Sequence, residues 1–214
     1  MKPAVHIAHI DGPAGVIETR IESPVGADPV GLALVCHPHP LFGGNNGNKV
    51  AQTLAGAFAR LGYVVLRPNF RGVGASGGRH DGGRGEGEDM LVVLDEARRI
   101  FGELPVTLAG YSFGAYVQMR VAKSLAASGQ PARRLVLVGA AVGRVEGTRY
   151  DARPVIEDSL VIHGSADTTV PLANVLAWAE PLELPIVVIP GADHFFDRRL
   201  HVIRNIVLSW SVLT

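Results

Sequence analysis

Cysteine is almost absent. Cys36 stands alone, so no internal disulfide can form, and this usage fits a reducing compartment. Long apolar runs are missing too: no stretch approaches the ~20 consecutive apolar residues of a membrane span. Residues Met1 to Asp11 lack the apolar centre of a secretion signal, because His6, His9 and Asp11 interrupt it. Charge of one sign is not in excess. Twenty Lys and Arg balance twenty Asp and Glu, which withholds the electrostatic footprint of a nucleic-acid binder. There is no internal repeat, low-complexity tail or linker-like stretch. These absences leave a soluble, cytoplasmic chain. With 47% hydrophobic and 19% charged residues over 214 positions it can build one full core, and residues 1–214 are expected to form a single domain.

What is present is an alternation of short apolar runs and amphipathic stretches. Val5–Ile10 and Val16–Ile21 read as two strands around the turn signal Asp11-Gly12-Pro13. The runs beginning at Gly31, Tyr63, Val106, Leu135, Leu160 and Pro185 read as six more, several apolar throughout, as in strands buried on both faces. Helical spacing covers 48–61, 88–101, 112–127, 170–180 and 198–213. Residues 71–87 hold eight glycines and read as a loop. Strands alternating with helices from residue 31 onward predict an α/β fold with a mostly parallel eight-stranded sheet and helices on both faces.

Three glycine motifs compete. Gly72-Val-Gly74-Ala-Ser-Gly77 fits a dinucleotide-binding pattern, but 26 glycines make such a match easy by chance. That reading also needs a helix opening at the third glycine, and Gly78-Arg-His-Asp-Gly-Gly-Arg-Gly follows instead. Both Gly74-Ala-Ser76-Gly-Gly78 and Gly110-Tyr-Ser112-Phe-Gly114 fit GxSxG. A nucleophile elbow is a sharp strand-to-helix turn with no room for side chains beside the serine. Ser112 has Gly110, Gly114 and Ala115 around it, a strand before it and a helix after it; Ser76 sits in a loop. Ser112 is the candidate nucleophile.

A serine hydroxyl needs a base, and the base needs an orienting acid. His194 follows the strand ending at Ile189 through Pro190-Gly191-Ala192-Asp193 and is the candidate base. His163 falls at the end of an apolar strand and reads as a buried structural imidazole; His201 falls in the last helix. For the acid, Asp167 lies just beyond the strand that ends at His163. Asp193 is adjacent to His194 and can hardly reach its neighbour's ring, so it reads as a turn residue. Asp167 is favoured, its competing role being to cap the next helix, which Thr168 or Thr169 could do instead. Backbone donors for a developing oxyanion are expected from Phe113, just after the nucleophile, and from the loop after the strand ending at Cys36. Pro38 and Pro40 carry no N–H there, so Leu41 or Phe42 must supply it, with Leu41 preferred. His37 and His39 suggest a metal, but no Cys, His or carboxylate cluster completes a ligand set, so they are expected to fix the loop by hydrogen bonds and no metal or cofactor is expected.

Together these features resemble the α/β-hydrolase superfamily over essentially the whole chain. The segments His37-Pro-His-Pro40 with Gly43-Gly44 and Asn48-Lys49, Asn69-Phe-Arg-Gly-Val-Gly-Ala-Ser-Gly77, and His163-Gly-Ser-Ala-Asp167 are similar to small bacterial serine hydrolases related to dienelactone hydrolases and esterases. Dienelactone hydrolases use cysteine at the elbow, where this chain has serine. The resemblance implies an eight-stranded sheet whose first strand pair is antiparallel and a Ser112–His194–Asp167 triad. Many relatives insert a helical cap after the sixth strand; the roughly twenty residues from Gly139 to Ser159 leave no room for one, so an open groove is expected. The implied activity is hydrolysis of a small carboxylic ester through an acyl-enzyme, with thioesters or small amides as neighbouring chemistries. The rival is a catalytically silent binding module on the same fold.

Overall fold

The computed structural model describes residues 3–154, 156 and 158–212. The strands among them are β1 (Ala4–Gly12), β2 (Gly15–Ser23), β3 (Leu32–Cys36), β4 (Val64–Pro68), β5 (Val106–Tyr111), β6 (Arg134–Val138), β7 (Gly143–Val145), β8 (Thr148–Tyr150), β9 (Ser159–Gly164) and β10 (Ile186–Ile189). The helices are α1 (Lys49–Arg60), α2 (Arg84–Phe101), α3 (Phe113–Ala127), α4 (Leu172–Ala179) and α5 (Leu200–Val212). Leu213, expected at the end of the last helix, lies outside the described residues. No helix among the described residues is long and apolar enough to cross a membrane.

Eight strands form one sheet in the order β1-β2-β4-β3-β5-β6-β9-β10. β2 runs antiparallel to both of its neighbours, and every other neighbouring pair is parallel. The central strands explain why: β3 through β6 are buried at every position and need cover on both faces. Side chains alternate across the sheet. Leu32, Leu34, Cys36, Leu108, Leu135 and Leu137 join one apolar cluster with α2 and α3. Ala33, Val35, Ala109, Val136 and Val138 join the other, with α1 and α5. β2 instead buries only alternate residues, Ile17, Thr19 and Ile21, as expected near a sheet edge.

The chain leaves β3 toward β4 on one side and β5 toward β6 on the other. The loops at the carboxyl ends of β3 and β5 therefore diverge, leaving a crevice between them, which is where doubly wound sheets bind ligands.

Two local expectations are corrected. The helix expected at Glu88 begins at Arg84, inside the glycine-rich segment. Its first turn is held by side chains rather than by propensity. Buried Glu86 accepts the N–H groups of Gly83 at 2.8 Å and Asp81 at 3.2 Å, and Asp81 accepts that of Gly85 at 2.8 Å. At Gly85 a side chain would run into the Arg71 guanidinium, itself bonded to Asp89 at 2.6 and 3.0 Å. Second, the segment after β6, where no strand was expected, carries the β7–β8 hairpin. Its register is Gly143 with Tyr150, Arg144 with Arg149 and Val145 with Thr148. Glu146 and Gly147 both have positive φ (47° and 85°), which suits a tight two-residue hairpin turn.

Ser76 is buried, and its hydroxyl accepts the Glu18 N–H at 3.0 Å and donates to the Asn69 carbonyl at 2.9 Å, tying the glycine-rich loop to β2. Ser76→Ala should cost about 1–3 kcal/mol of unfolding free energy in urea titrations, because two backbone groups lose their partner. A change below about 0.5 kcal/mol would show that the loop does not depend on this tie.

Candidate active site

Ser112 sits between β5 and α3 with φ 54° and ψ −119°, in the left-handed region that a side-chain-bearing residue enters only under constraint. The constraint is contact of backbone on backbone. A Cβ on Gly110 would collide with Gly114 and Ala115, and one on Gly114 with the carbonyls of Cys36 and His37. The serine carbonyl is fully used, accepting the N–H groups of Ala115, Tyr116 and Ala141 at 3.0, 3.3 and 3.2 Å.

Three of the expected residues come together, although 82 positions separate the first from the last. His194 Nε2 lies 3.1 Å from Ser112 Oγ, and His194 Nδ1 lies 2.7 Å from Asp167 Oδ2. All three are buried or nearly so. Asp167 also caps: its other oxygen accepts the N–H groups of Thr169 at 2.9 Å and Val170 at 2.8 Å. The two contacts weighed for Asp167, to the histidine and to the start of the next helix, are thus both present, one on each oxygen. Asp193 points elsewhere and accepts the Asp197 N–H at 3.2 Å within its own turn.

The acid and histidine loops are stapled together. Ala166 N–H donates to the Ala192 carbonyl at 2.9 Å and Gly191 N–H to Ser165 Oγ at 2.8 Å. Tyr111, at the end of β5, donates its hydroxyl to the His194 carbonyl at 2.9 Å and lays its ring 5.2 Å from the imidazole. Sequence reasoning missed this tyrosine, whose signal is only its position beside the elbow serine. His163 is fully buried, donating from Nε2 to the Val170 carbonyl at 2.8 Å and passing 3.4 Å from Asp167, and burial lowers its pKa.

The loop after β3 closes into one 3₁₀ turn, Pro40–Phe42. Phe42 N–H is spent on the His39 carbonyl at 3.2 Å. Leu41 N–H meets His39 Nδ1 at a longer 3.3 Å, on the exposed side. Burial, then the neighbouring His80, push the His39 pKa down to about 4, so its Nδ1 stays an acceptor. Phe113 N–H occupies the first position of α3, where a helix offers no acceptor of its own. His80 is held by buried Glu86 at 2.6 Å, and its ring packs 4.6 Å from His39 and 5.1 Å from Phe113.

These groups line a cleft of about 420 Å³. Leu41, Phe42 and Phe195, all well exposed, form its apolar mouth, and Val145, Glu146, Thr148 and Tyr150 of the hairpin form a wall. The wall was not anticipated; its only trace in the sequence is Gly147 after Glu146 between two short runs.

His37 anchors the loop from beneath. It is fully buried, donates from Nδ1 to the Pro38 carbonyl at 2.7 Å and accepts the Phe70 N–H at 3.0 Å on Nε2. Burial pushes its pKa down to about 4 from an ordinary 6.5. Between those values the unfolded chain binds a proton that the native state refuses, so stability must fall as pH drops through this window. The term should reach about 3 kcal/mol at pH 4. Burial of Glu86 raises its pKa and acts in the opposite direction, so the informative comparison is internal. In urea titrations from pH 4 to 6.5, His37→Gln should show a shallower rise of stability with pH than the wild type. Parallel curves would acquit His37.

Comparison with known proteins places these observations. Residues 90–182 match the model of a thioesterase domain; that stretch contains Ser112 and Asp167 and stops short of His194. An uncharacterized protein, RP471, of Rickettsia prowazekii (strain Madrid E) is 33% identical over 199 residues, covering 88% of this chain and 81% of the relative. The structure of an α/β serine hydrolase homologue from Coxiella burnetii superposes with a TM-score of 0.81 at 36% identity, covering 98% of this chain and 97% of the other. That of a lidless α/β serine hydrolase from Xanthomonas campestris gives 0.83 at 34% identity, covering 98% and 94%. With a likeness that spans nearly the whole chain, the protein belongs to the α/β-hydrolase superfamily, among its small lidless serine hydrolases.

Proposed function

We propose that this hydrolase cleaves small carboxylic esters or thioesters through an acyl-enzyme, with Ser112 as nucleophile, His194 as base and Asp167 as orienting acid. The observation that carries the reading is the unbroken relay Ser112 Oγ–His194 Nε2 and His194 Nδ1–Asp167 Oδ2, at 3.1 and 2.7 Å, beneath a strained elbow. In the first half-reaction His194 takes the Ser112 proton as Oγ attacks the carbonyl carbon, then returns it to the departing alcohol or thiol. In the second, His194 takes a proton from water, which attacks the acyl carbon and releases the acid with Ser112 restored. The oxyanion formed in each step is met by Phe113 N–H and by Leu41 N–H, which exchanges its long bond to His39 for a charged acceptor. The thioesterase match supports the thioester arm, and the apolar mouth suits a short acyl group.

Labelling with a fluorophosphonate should modify Ser112 and no other serine; an unlabelled protein would favour a silent binding module. Ser112→Ala should lower kcat by several orders of magnitude, while Ser76→Ala, despite its stability cost, should leave kcat within about twofold of wild type.

The two aspartates separate cleanly. Asp167→Asn can keep accepting from Thr169 and Val170 but presents an amide N–H to His194 Nδ1, favouring the wrong tautomer, and should cost about 10⁴ in kcat. Asp193→Asn keeps its local turn bond and should cost less than about tenfold, or 1.4 kcal/mol. Folding of both variants is checked by circular dichroism. The larger loss in Asp193→Asn would overturn the assignment.

A further inference from the structure

On the far side of the β7–β8 hairpin from the cleft lies a second, larger groove of about 1030 Å³, between α3, the hairpin with the segment after it, and α4. Its charge is lopsided. Among the described residues, Arg120, Lys123, Arg144, Arg149 and Arg153 line it against a single carboxylate, Asp151, in a chain whose formal net charge is zero. The hairpin register sets Arg144 directly opposite Arg149, an arrangement of like charges that weakens a strand pair. Arg149 reaches Asp151 at 2.6 Å, where both side chains are exposed and the pair contributes little. Arg120 lies over the Tyr116 ring. Among the described residues no carboxylate is paired with Lys123, Arg144 or Arg153 in an ion pair. One flank is apolar and fixed: Trp178 donates its indole N–H to the Ala152 carbonyl at 2.8 Å.

A hairpin that holds two arginines face to face over a groove is stabilised by an anion between them, and guanidinium groups match phosphate oxygens two at a time. The volume exceeds what one phosphate needs and suits a ligand of nucleotide size. Groove and cleft meet at Tyr150, which lines both and stands 6.3 Å, ring to ring, from Phe113 beside the nucleophile. We infer that the groove seats the phosphorylated part of the leaving group, so that the preferred substrate is a thioester of a nucleotide-bearing thiol whose acyl end reaches Ser112 past Tyr150. This rests on the proposed role of Ser112 and adds the substrate class.

The test pairs two thioesters with the same acetyl group, one on coenzyme A and one on neutral N-acetylcysteamine. Wild type should prefer the first in kcat/KM, chiefly through KM, and lose that preference as salt rises. In the Arg144→Gln/Arg149→Gln double variant the ratio of the two kcat/KM values should fall at least tenfold. ADP should bind wild type in calorimetry, bind the variant at least tenfold more weakly, and inhibit the coenzyme A thioester competitively. Equal kcat/KM values for the two thioesters, or a ratio unmoved by the substitutions, would overturn the inference. So would ADP that binds without inhibiting, since the groove would then serve a separate anion. Failure of the Ser112 reading looks different: no turnover of either thioester and no fluorophosphonate label, whatever ADP does.

Discussion

The first turn of α3 rests with its backbone directly on the end of β3. Gly114 permits that contact, Gly110 permits the matching approach of the same turn to β5, and the left-handed backbone of Ser112 is the consequence. Everything else in the cleft is referred to this point. The approach sets the Phe113 N–H beside the serine, and it holds the loop that begins at His37 against the same turn. A side chain at Gly114 would push α3 off the end of β3 and one at Gly110 would push its first turn off β5, and the serine would lose both its strain and its neighbours.

The second requirement is that loops from β9 and β10 present an acid and a histidine at hydrogen-bond distance from a serine on β5. Long polar side chains on free loops would lose conformational entropy to do so. Here the loss is shared among backbone bonds. Ala166 and Gly191 join the two loops to each other, Tyr111 joins the histidine loop to β5, and the cap made by Asp167 fixes its carboxylate. Uncharged histidines, one buried and one half-buried, do similar work opposite: His37 holds the loop from beneath and His39 accepts the Leu41 N–H.

Much of this was legible in the chain. The elbow pattern at 110–115 could be told from its imitation at 74–78 because sterics demand a strand before and a helix after. The eight sheet strands were readable from apolar runs. Two elements were not. The first turn of α2 contains Gly85 and Gly87, which local propensity rejects, and it forms because Glu86 and Asp81 accept its N–H groups beneath Arg71. The β7–β8 hairpin is too short for its alternation to register, yet it divides the cleft from the cationic groove.

The sheet, the place of the nucleophile candidate and the residues proposed to join it could be read along the chain, because side-chain periodicity, glycine sterics and the order of residues along the chain are local properties. Only the folded chain shows how the two backbone N–H groups after β3 are bonded, how Asp167 divides its two oxygens, and where five scattered cations converge. Those outcomes depend on contacts between residues tens of positions apart, and a hydrogen bond or a charge cluster exists only once the fold has brought its members within a few ångströms.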